Sequence, residues 1–284
     1  MAGPLRGALA AAVTPLRDAG SRLDEDAFAP YARFLADGGI DGVLALGTTG
    51  EGILLRLDER RRALELLLAG VEGRVPVIAH CGAQTTAETV ALAEHAAATG
   101  AAAVAVIAPP YYLLDEREQL AHLAAAAAAC APLPFYAYEF AARSGYAVTP
   151  ATVSRLRDLA PNLVGIKVSD SPAVAVAAYL QEGLDVFAGS EVLLPELPGC
   201  AGTVSGLGAV FPEVVAAVVA RPTPEVLAQA AALRGLVSGR FVATAKAALG
   251  LRGLPVRSDT RPPVRPLDDA ELGLLRAALA GLGY

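Results

Sequence analysis

The chain has 284 residues, of which 54% are hydrophobic and 18% charged, with a formal net charge of -6 and no tryptophan. This is enough apolar material for one large core and excludes an intrinsically disordered chain, while the acidic balance argues against nucleic acid as a partner. The longest alanine-rich stretch, Ala124–Ala129, is far too short to span a membrane, so no membrane partner is expected.

Taken in chain order, apolar runs recur at 7–13, 42–46, 75–80, 103–108, 133–138, 163–168, 185–188 and 202–206. The first resembles a short signal segment, but it runs into Thr14-Pro15 with Arg6 alone ahead of it and reads as a strand. Between most runs lie helical patterns, among them Asp58–Val71, Ala87–Ala98 and Glu116–Ala129. Thr85 or Thr86, Asp115 and the pair Thr149-Pro150 supply helix-start chemistry. Eight strands alternating with helices predict parallel pairing through right-handed crossovers, and eight such strands close an α/β fold, a (β/α)8 TIM barrel. Even spacing favours the barrel over an open doubly wound sheet. Helical material at 224–249 and 268–281, separated by a Pro- and Arg-rich linker at 253–266, predicts a C-terminal helical extension. The predicted division is a barrel over 1–222 and an extension over 223–284.

Barrel chemistry sits at the C-terminal ends of strands. The 23 basic residues include only two lysines, and one of them, Lys167, lies inside the apolar run Leu163–Val168. Burial disfavours an ammonium, and a neutral amine can attack a carbonyl. The alternatives are a lysine snorkelling from a strand end or paired with Asp170. The loop Gly47–Gly52 is not a phosphate-binding pattern, and its amides with the Thr48 and Thr49 hydroxyls suit a single carboxylate. Tyr138 ends an apolar run and can pass protons beside an amine, unless it merely fills the barrel. Arg143, five residues on, can clamp a carboxylate, unless it is a surface charge.

Arg60-Arg61-Arg62 falls among acidic residues in a helical stretch and reads as a solvated face. Lys246 lies in a helical stretch and reads as a packing or ion-pair residue. His80, His95 and His122 share no metal-ligand spacing and read as structural. Three widely spaced cysteines, Cys81, Cys130 and Cys200, form no disulfide framework or zinc site, which suits a reducing, cytoplasmic setting.

Together these residues resemble the dihydrodipicolinate synthase and N-acetylneuraminate lyase family, pyruvate-dependent Schiff-base aldolases on a (β/α)8 barrel. The resemblance runs from Thr14-Pro15 to Lys246-Ala247-Ala248-Leu249-Gly250-Leu251. Gly47-Thr48-Thr49-Gly50-Glu51 is similar to the family's G-T-T-G-E, and Gly165-Ile166-Lys167 to its Schiff-base strand. Tyr138 with Arg143-Ser144-Gly145 resembles Y-N-x-P-x-R-T-G, and Pro110-Tyr111-Tyr112 resembles P-Y-Y.

The resemblance implies catalysis by Lys167, Tyr138 and Thr48 with Tyr112 of the partner subunit. It implies substrate contacts at Gly47, Thr49, Glu139, Arg143, Gly189, Glu191 and Val204. It also implies a homodimer or homotetramer that needs no metal or organic cofactor. The substrates implied are a 2-keto acid such as pyruvate and an aldehyde, first aspartate semialdehyde, in a dihydrodipicolinate synthase-like lyase reaction. A 2-keto-3-deoxy sugar-acid aldolase or dehydratase is the alternative, and a non-catalytic keto-acid-binding barrel is the alternative from another class.

This chain departs from the family where Glu139-Phe140-Ala141-Ala142 lacks the usual Asn and Pro, so Glu139 is expected near the second substrate. Thr48, and Val192 after Glu191, disfavour sialic acid. Leu57, Arg60 and Gln84 disfavour feedback by lysine, although Glu88 and Tyr111 match. Pro195 and Pro198 interrupt the seventh helix.

Overall fold

Short runs of Ala, Val, Leu and Ile form strands here because both their faces are covered, one by the barrel interior and one by helices. In the computed structural model, which describes residues 5–284, eight parallel strands close into a barrel. They are β1 (Gly7–Ala11), β2 (Gly42–Ala45), β3 (Val77–His80), β4 (Ala103–Ile107), β5 (Phe135–Glu139), β6 (Leu163–Val168), β7 (Asp185–Ala188) and β8 (Gly202–Ser205). Each pairs with its sequence neighbours, and β8 returns to β1 with Gly7 opposite Gly202. Leu9, Leu44, Ile78, Ala105, Tyr136, Phe187 and Val204 fill the interior. Their outward neighbours, such as Ala8, Val43, Val104 and Ile166, join the larger core beneath the helices.

The helices are α1 (Glu25–Asp37), α2 (Leu57–Val71), α3 (Thr86–Thr99), α4 (Glu116–Cys130), α5 (Pro150–Leu159), α6 (Ala173–Ala177), α7 (Pro212–Ala220), α8 (Pro224–Val237), α9 (Phe241–Leu251) and α10 (Asp269–Gly281). Helix-start chemistry works as read. Thr85 Oγ1 accepts from Glu88 N at 3.2 Å, and Asp115 and Glu118 form a reciprocal capping box. Thr149 accepts from Thr152 N with Pro150 in the first turn.

Several elements differ from expectation. The strands predicted at 75–80 and 133–138 begin later, after Pro76 and Pro134. Each proline lacks an N–H, but its carbonyl accepts from a neighbouring strand, Val43 N at 2.9 Å and Val104 N at 3.0 Å. α1 contains Pro30, and Phe28, Tyr31 and Leu35 bury one of its faces. Its Tyr31 hydroxyl accepts from Val13 N and donates to Ala209 O, both at 3.1 Å, tying α1 to the strand-end loops.

The helical material over 224–249 is two helices, α8 and α9, at 112° to each other, with Gly239 at φ +78° in the connection. After β7 the helix is replaced by a 3-10 segment, Glu191–Glu196, that contains Pro195. Among the described residues, no single helix is long and apolar enough to cross a membrane.

Arg60 overturns the reading of its cluster as a solvated face. It is 2% exposed and donates to His80 O at 2.8 Å and Gly82 O at 2.9 Å. The carbonyls at the end of β3 have no further strand partner, and a guanidinium fork satisfies both at once.

Gly165 marks a close approach between neighbouring strands. A Cβ there would lie 2.3 Å from Asp185 O and 2.6 Å from Tyr136 Cε1. Gly165→Ala is therefore expected to lower stability by about 3 kcal/mol. Urea denaturation should show it, and an unchanged midpoint would contradict this account of the close approach.

Candidate active site

Pairing of β5 with β6 puts Tyr138 opposite Lys167, so the two side chains leave the barrel wall at one level. Lys167 is 8% exposed, and its Nζ lies 4.2 Å from the centroid of the Tyr138 ring. The Tyr138 hydroxyl is 3.3 Å from Thr48 Oγ1 on the loop after β2. The Tyr138 ring is 1% exposed, stacks on Phe140 and meets His80 edge-on. Burial pushes the Tyr138 phenol up, but the Lys167 charge and hydrogen bonds with Thr48, Ser169 and Lys167 outweigh it and bring it below its ordinary value. A phenol eased toward ionisation beside an amine is suited to carry a proton. Among the described residues, Lys167 forms no ion pair with Asp170, which lies exposed on the rim.

The loop after β2 turns sharply, with Leu46 at φ +62° and Glu51 at φ +56°. Gly52 passes so close that a Cβ would sit 1.8 Å from Leu46 O. Thr14 Oγ1 donates to Gly50 O at 2.6 Å. The Thr48 and Thr49 amides donate to no acceptor among the described residues, which leaves them for a bound anion.

Glu51 points away from the mouth and forms an ion pair with Lys246, both side chains sealed from water. Glu51 Oε1 also accepts from Arg261 N at 2.6 Å, and Lys246 Nζ donates to Asp259 O at 2.8 Å. Burial draws the Lys246 ammonium down against the opposing pull of Glu51. The second lysine is thus the ion-pair residue it was read as, joining α9 and the linker to the carboxylate loop.

A cavity of about 510 Å³ opens above these groups. Thr48, Thr49, Tyr138, Arg143, Lys167, Gly189 and Val204 line it, which unites most of the expected site residues. Gly47 borders an adjoining cavity of about 310 Å³ instead. Tyr112 stands 74% exposed at the edge of a third cavity, away from Lys167 within its own chain.

Two expected substrate contacts are corrected by burial. Glu139 is 2% exposed and accepts from Ala141 N at 2.8 Å and Val148 N at 2.6 Å. Glu191 is completely buried, accepting from Ser205 Oγ at 2.5 Å and pairing with Arg234 Nη2 at 2.8 Å. Neither carboxylate lines the cavity, because each satisfies donors inside the protein.

The expected site residues did not include Phe140, Ser169, Ser190, Arg234, Phe241 and Val242, which also line the cavity. Ser169 and Ser190 follow strand ends and were within reach of a strand-end reading. Arg234 and Phe241 come from the C-terminal helices, and no local spacing connects them to the mouth. Among the described residues, no cluster of three or more His, Cys, Asp or Glu side chains could hold a metal ion.

The model of the dihydrodipicolinate synthetase family matches residues 4–281. An uncharacterized DapA-like lyase of Halobacterium salinarum is 39% identical over 98% of this chain and 94% of its own length. A 4-hydroxy-tetrahydrodipicolinate synthase of Thermus thermophilus is 38% identical over 74% of this chain and 72% of its own. The crystal structure of YagE, a prophage protein of the dihydrodipicolinic acid synthase family from E. coli K12 in complex with pyruvate, superposes with a TM-score of 0.91. It is 26% identical and covers 99% of both chains.

His80 is held neutral. Its Nδ1–H donates to Leu46 O at 3.1 Å, and its Nε2 accepts from Ile107 N at 3.4 Å. Burial, then the Arg60 and Lys167 charges, push it down from 6.5 to about 3. The unfolded chain therefore takes up a proton that the native state refuses. Stability from this group is full above pH 6.5 and falls by about 1.4 kcal/mol per pH unit toward pH 3. In His80→Gln the dependence of stability on pH between 6.5 and 5 should flatten, as followed by urea midpoints; an unaltered slope would remove His80 as its source.

Lys246→Met leaves Glu51 buried without its cation and is expected to cost about 3–5 kcal/mol. The double variant with Glu51→Gln should recover much of that loss, and a double loss equal to the sum of the Lys246→Met and Glu51→Gln losses would show that the pair is not coupled.

Proposed function

This chain belongs to the dihydrodipicolinate synthetase family, a family of lyases, and on that premise we propose that Lys167 forms a Schiff base with pyruvate or a related 2-keto acid. The observation that carries the reading is the Lys167 amine over the Tyr138 ring, with the Tyr138 hydroxyl on Thr48, at the floor of an open cavity. In this scheme the neutral amine adds to the ketone carbon, and loss of water leaves an iminium. Loss of a proton from the adjacent methyl gives an enamine, which adds to an aldehyde carbon while the aldehyde oxygen takes up a proton. Hydrolysis of the new iminium frees the lysine, and the reverse sequence cleaves the same bond.

Tyr138 takes and returns the protons, held in place by Thr48. Tyr112 of the partner subunit extends this chain, which makes the working unit at least a homodimer. The Thr48 and Thr49 amides and the Thr49 hydroxyl hold the keto-acid carboxylate. The scheme uses no metal or organic cofactor, and three free cysteines suit a reducing cytoplasm.

For the aldehyde, aspartate semialdehyde is the first candidate. Arg143 faces the cavity and pairs with no carboxylate among the described residues, which supports an acceptor bearing its own carboxylate. A sugar acid would present several hydroxyls needing partners, and of the carboxylates around the mouth Glu139 and Glu191 are occupied within the protein, which leaves Asp170 on the rim.

Borohydride reduction in the presence of pyruvate, followed by peptide mapping, is expected to leave a stable adduct on Lys167 and none in Lys167→Ala. Tyr138→Phe should lower turnover at least about 100-fold while an adduct still forms on long incubation. If no 2-keto acid is trapped on Lys167, the barrel is a binding protein and the aldolase reading fails.

A further inference from the structure

The segment that carries Arg143 is closed at both ends by one carboxylate. Glu139 ends β5 directly after Tyr138, and its side chain folds under the loop instead of entering the cavity. Oε1 takes the Ala141 N–H at 2.8 Å, where the one-turn helix Ala141–Ser144 begins. Oε2 takes the Val148 N–H at 2.6 Å, where the loop rejoins the barrel wall. Val148 is held from its other side as well, since Tyr179 Oη donates to its carbonyl at 2.9 Å.

Within the loop, Ser144 Oγ donates to Tyr146 O at 2.6 Å, and Tyr146 Oη donates to Pro109 O at 2.8 Å. Arg143 rides on this turn with its guanidinium 5.5 Å from the Phe140 ring centroid, facing the mouth.

We propose that Glu139 is a positioning residue for the second substrate: its carboxylate clamps both ends of the 140–148 loop and so fixes Arg143 where it selects aldehydes that carry a carboxylate. The proposal rests on the keto-acid lyase reading above. A carboxylate is the right group for this task because two N–H donors require two acceptor oxygens. Glutamine offers one oxygen and turns an amide NH2 toward the other N–H, so one end of the loop loses its anchor. Nothing in the clamp touches Lys167, Thr48 or Thr49. The amine and the carboxylate loop are therefore independent of it, and the one other route from the clamped loop to the site is Phe140, stacked on Tyr138.

The test compares wild type, Glu139→Gln, Glu139→Asp and Arg143→Ala. It measures borohydride trapping of pyruvate on Lys167, then kcat/KM for aspartate semialdehyde against an uncharged aldehyde of similar length. Glu139→Gln should lower the preference for the carboxylated aldehyde about tenfold, mainly through KM, the scale of one charge-assisted contact. Pyruvate trapping should stay within about twofold of wild type, because the clamp spares the amine. Glu139→Asp keeps the charge but shortens the reach, and should fall between.

In the Arg143→Ala background, Glu139→Gln should change the preference no further. A preference unchanged by Glu139→Gln overturns the proposal, as does an equal loss with both aldehydes or with pyruvate trapping, which would mark Glu139 as a residue of the fold alone. Absence of any adduct in the wild-type protein overturns the lyase reading and this assignment with it.

Discussion

An ammonium group set into a barrel of alanine, valine and leucine side chains must find partners or lose its proton. Lys167 meets that constraint through strand register. Because β5 and β6 pair with Tyr138 opposite Lys167, the amine emerges over an aromatic face beside a hydroxyl already bonded to Thr48. Shifting this pair by one residue would send both side chains into the helix layer. The proximity of the proposed nucleophile and proton carrier is thus a property of the closed sheet, and barrel closure through β8 and β1 holds that sheet in place.

A second buried cation joins the outer shell to the same mouth. Lys246, on α9, reaches Glu51 at the back of the carboxylate loop, and the linker residues Asp259 and Arg261 bond to the same pair. Arg261 also pairs with Glu59 of α2 at 2.6 Å. The C-terminal helices are therefore tied to the loop that presents Thr48 and Thr49, and they add Arg234, Phe241 and Val242 to the cavity wall. Both lysines in the chain are buried, whereas most of its arginines form surface ion pairs. Arg60 and Arg234 lie where a forked donor meets two acceptors.

The mouth separates its charges by depth. Lys167 and Arg143 face the cavity, while the carboxylates Glu51, Glu139 and Glu191 are turned inward to clamp the elements that frame it. On the proposed keto-acid reading, an anionic substrate would meet Lys167, Arg143 and the loop amides in front, with Asp170 the carboxylate left on the rim. These three acidic residues thus frame the cavity without presenting their charge to it.

Much of this was legible in one dimension. Eight evenly spaced apolar runs with helical patterns between them point to a barrel, because parallel strands covered on both faces read that way and eight of them close; Lys167, Tyr138 and Thr48 were noted from their places at or just after strand ends, and Arg143 from its spacing to Tyr138. Local sequence could not say where a side chain turns. Glu139 and Glu191 sit at the right positions but point into the protein, and Arg60 is buried amid charges that look solvated. Arg234 is 43 residues from the glutamate that holds it. Periodicity and motif spacing report which face of an element a residue occupies. Which buried donor claims a given carboxylate depends on atoms brought together from distant parts of the chain, and the closed, packed barrel decides that.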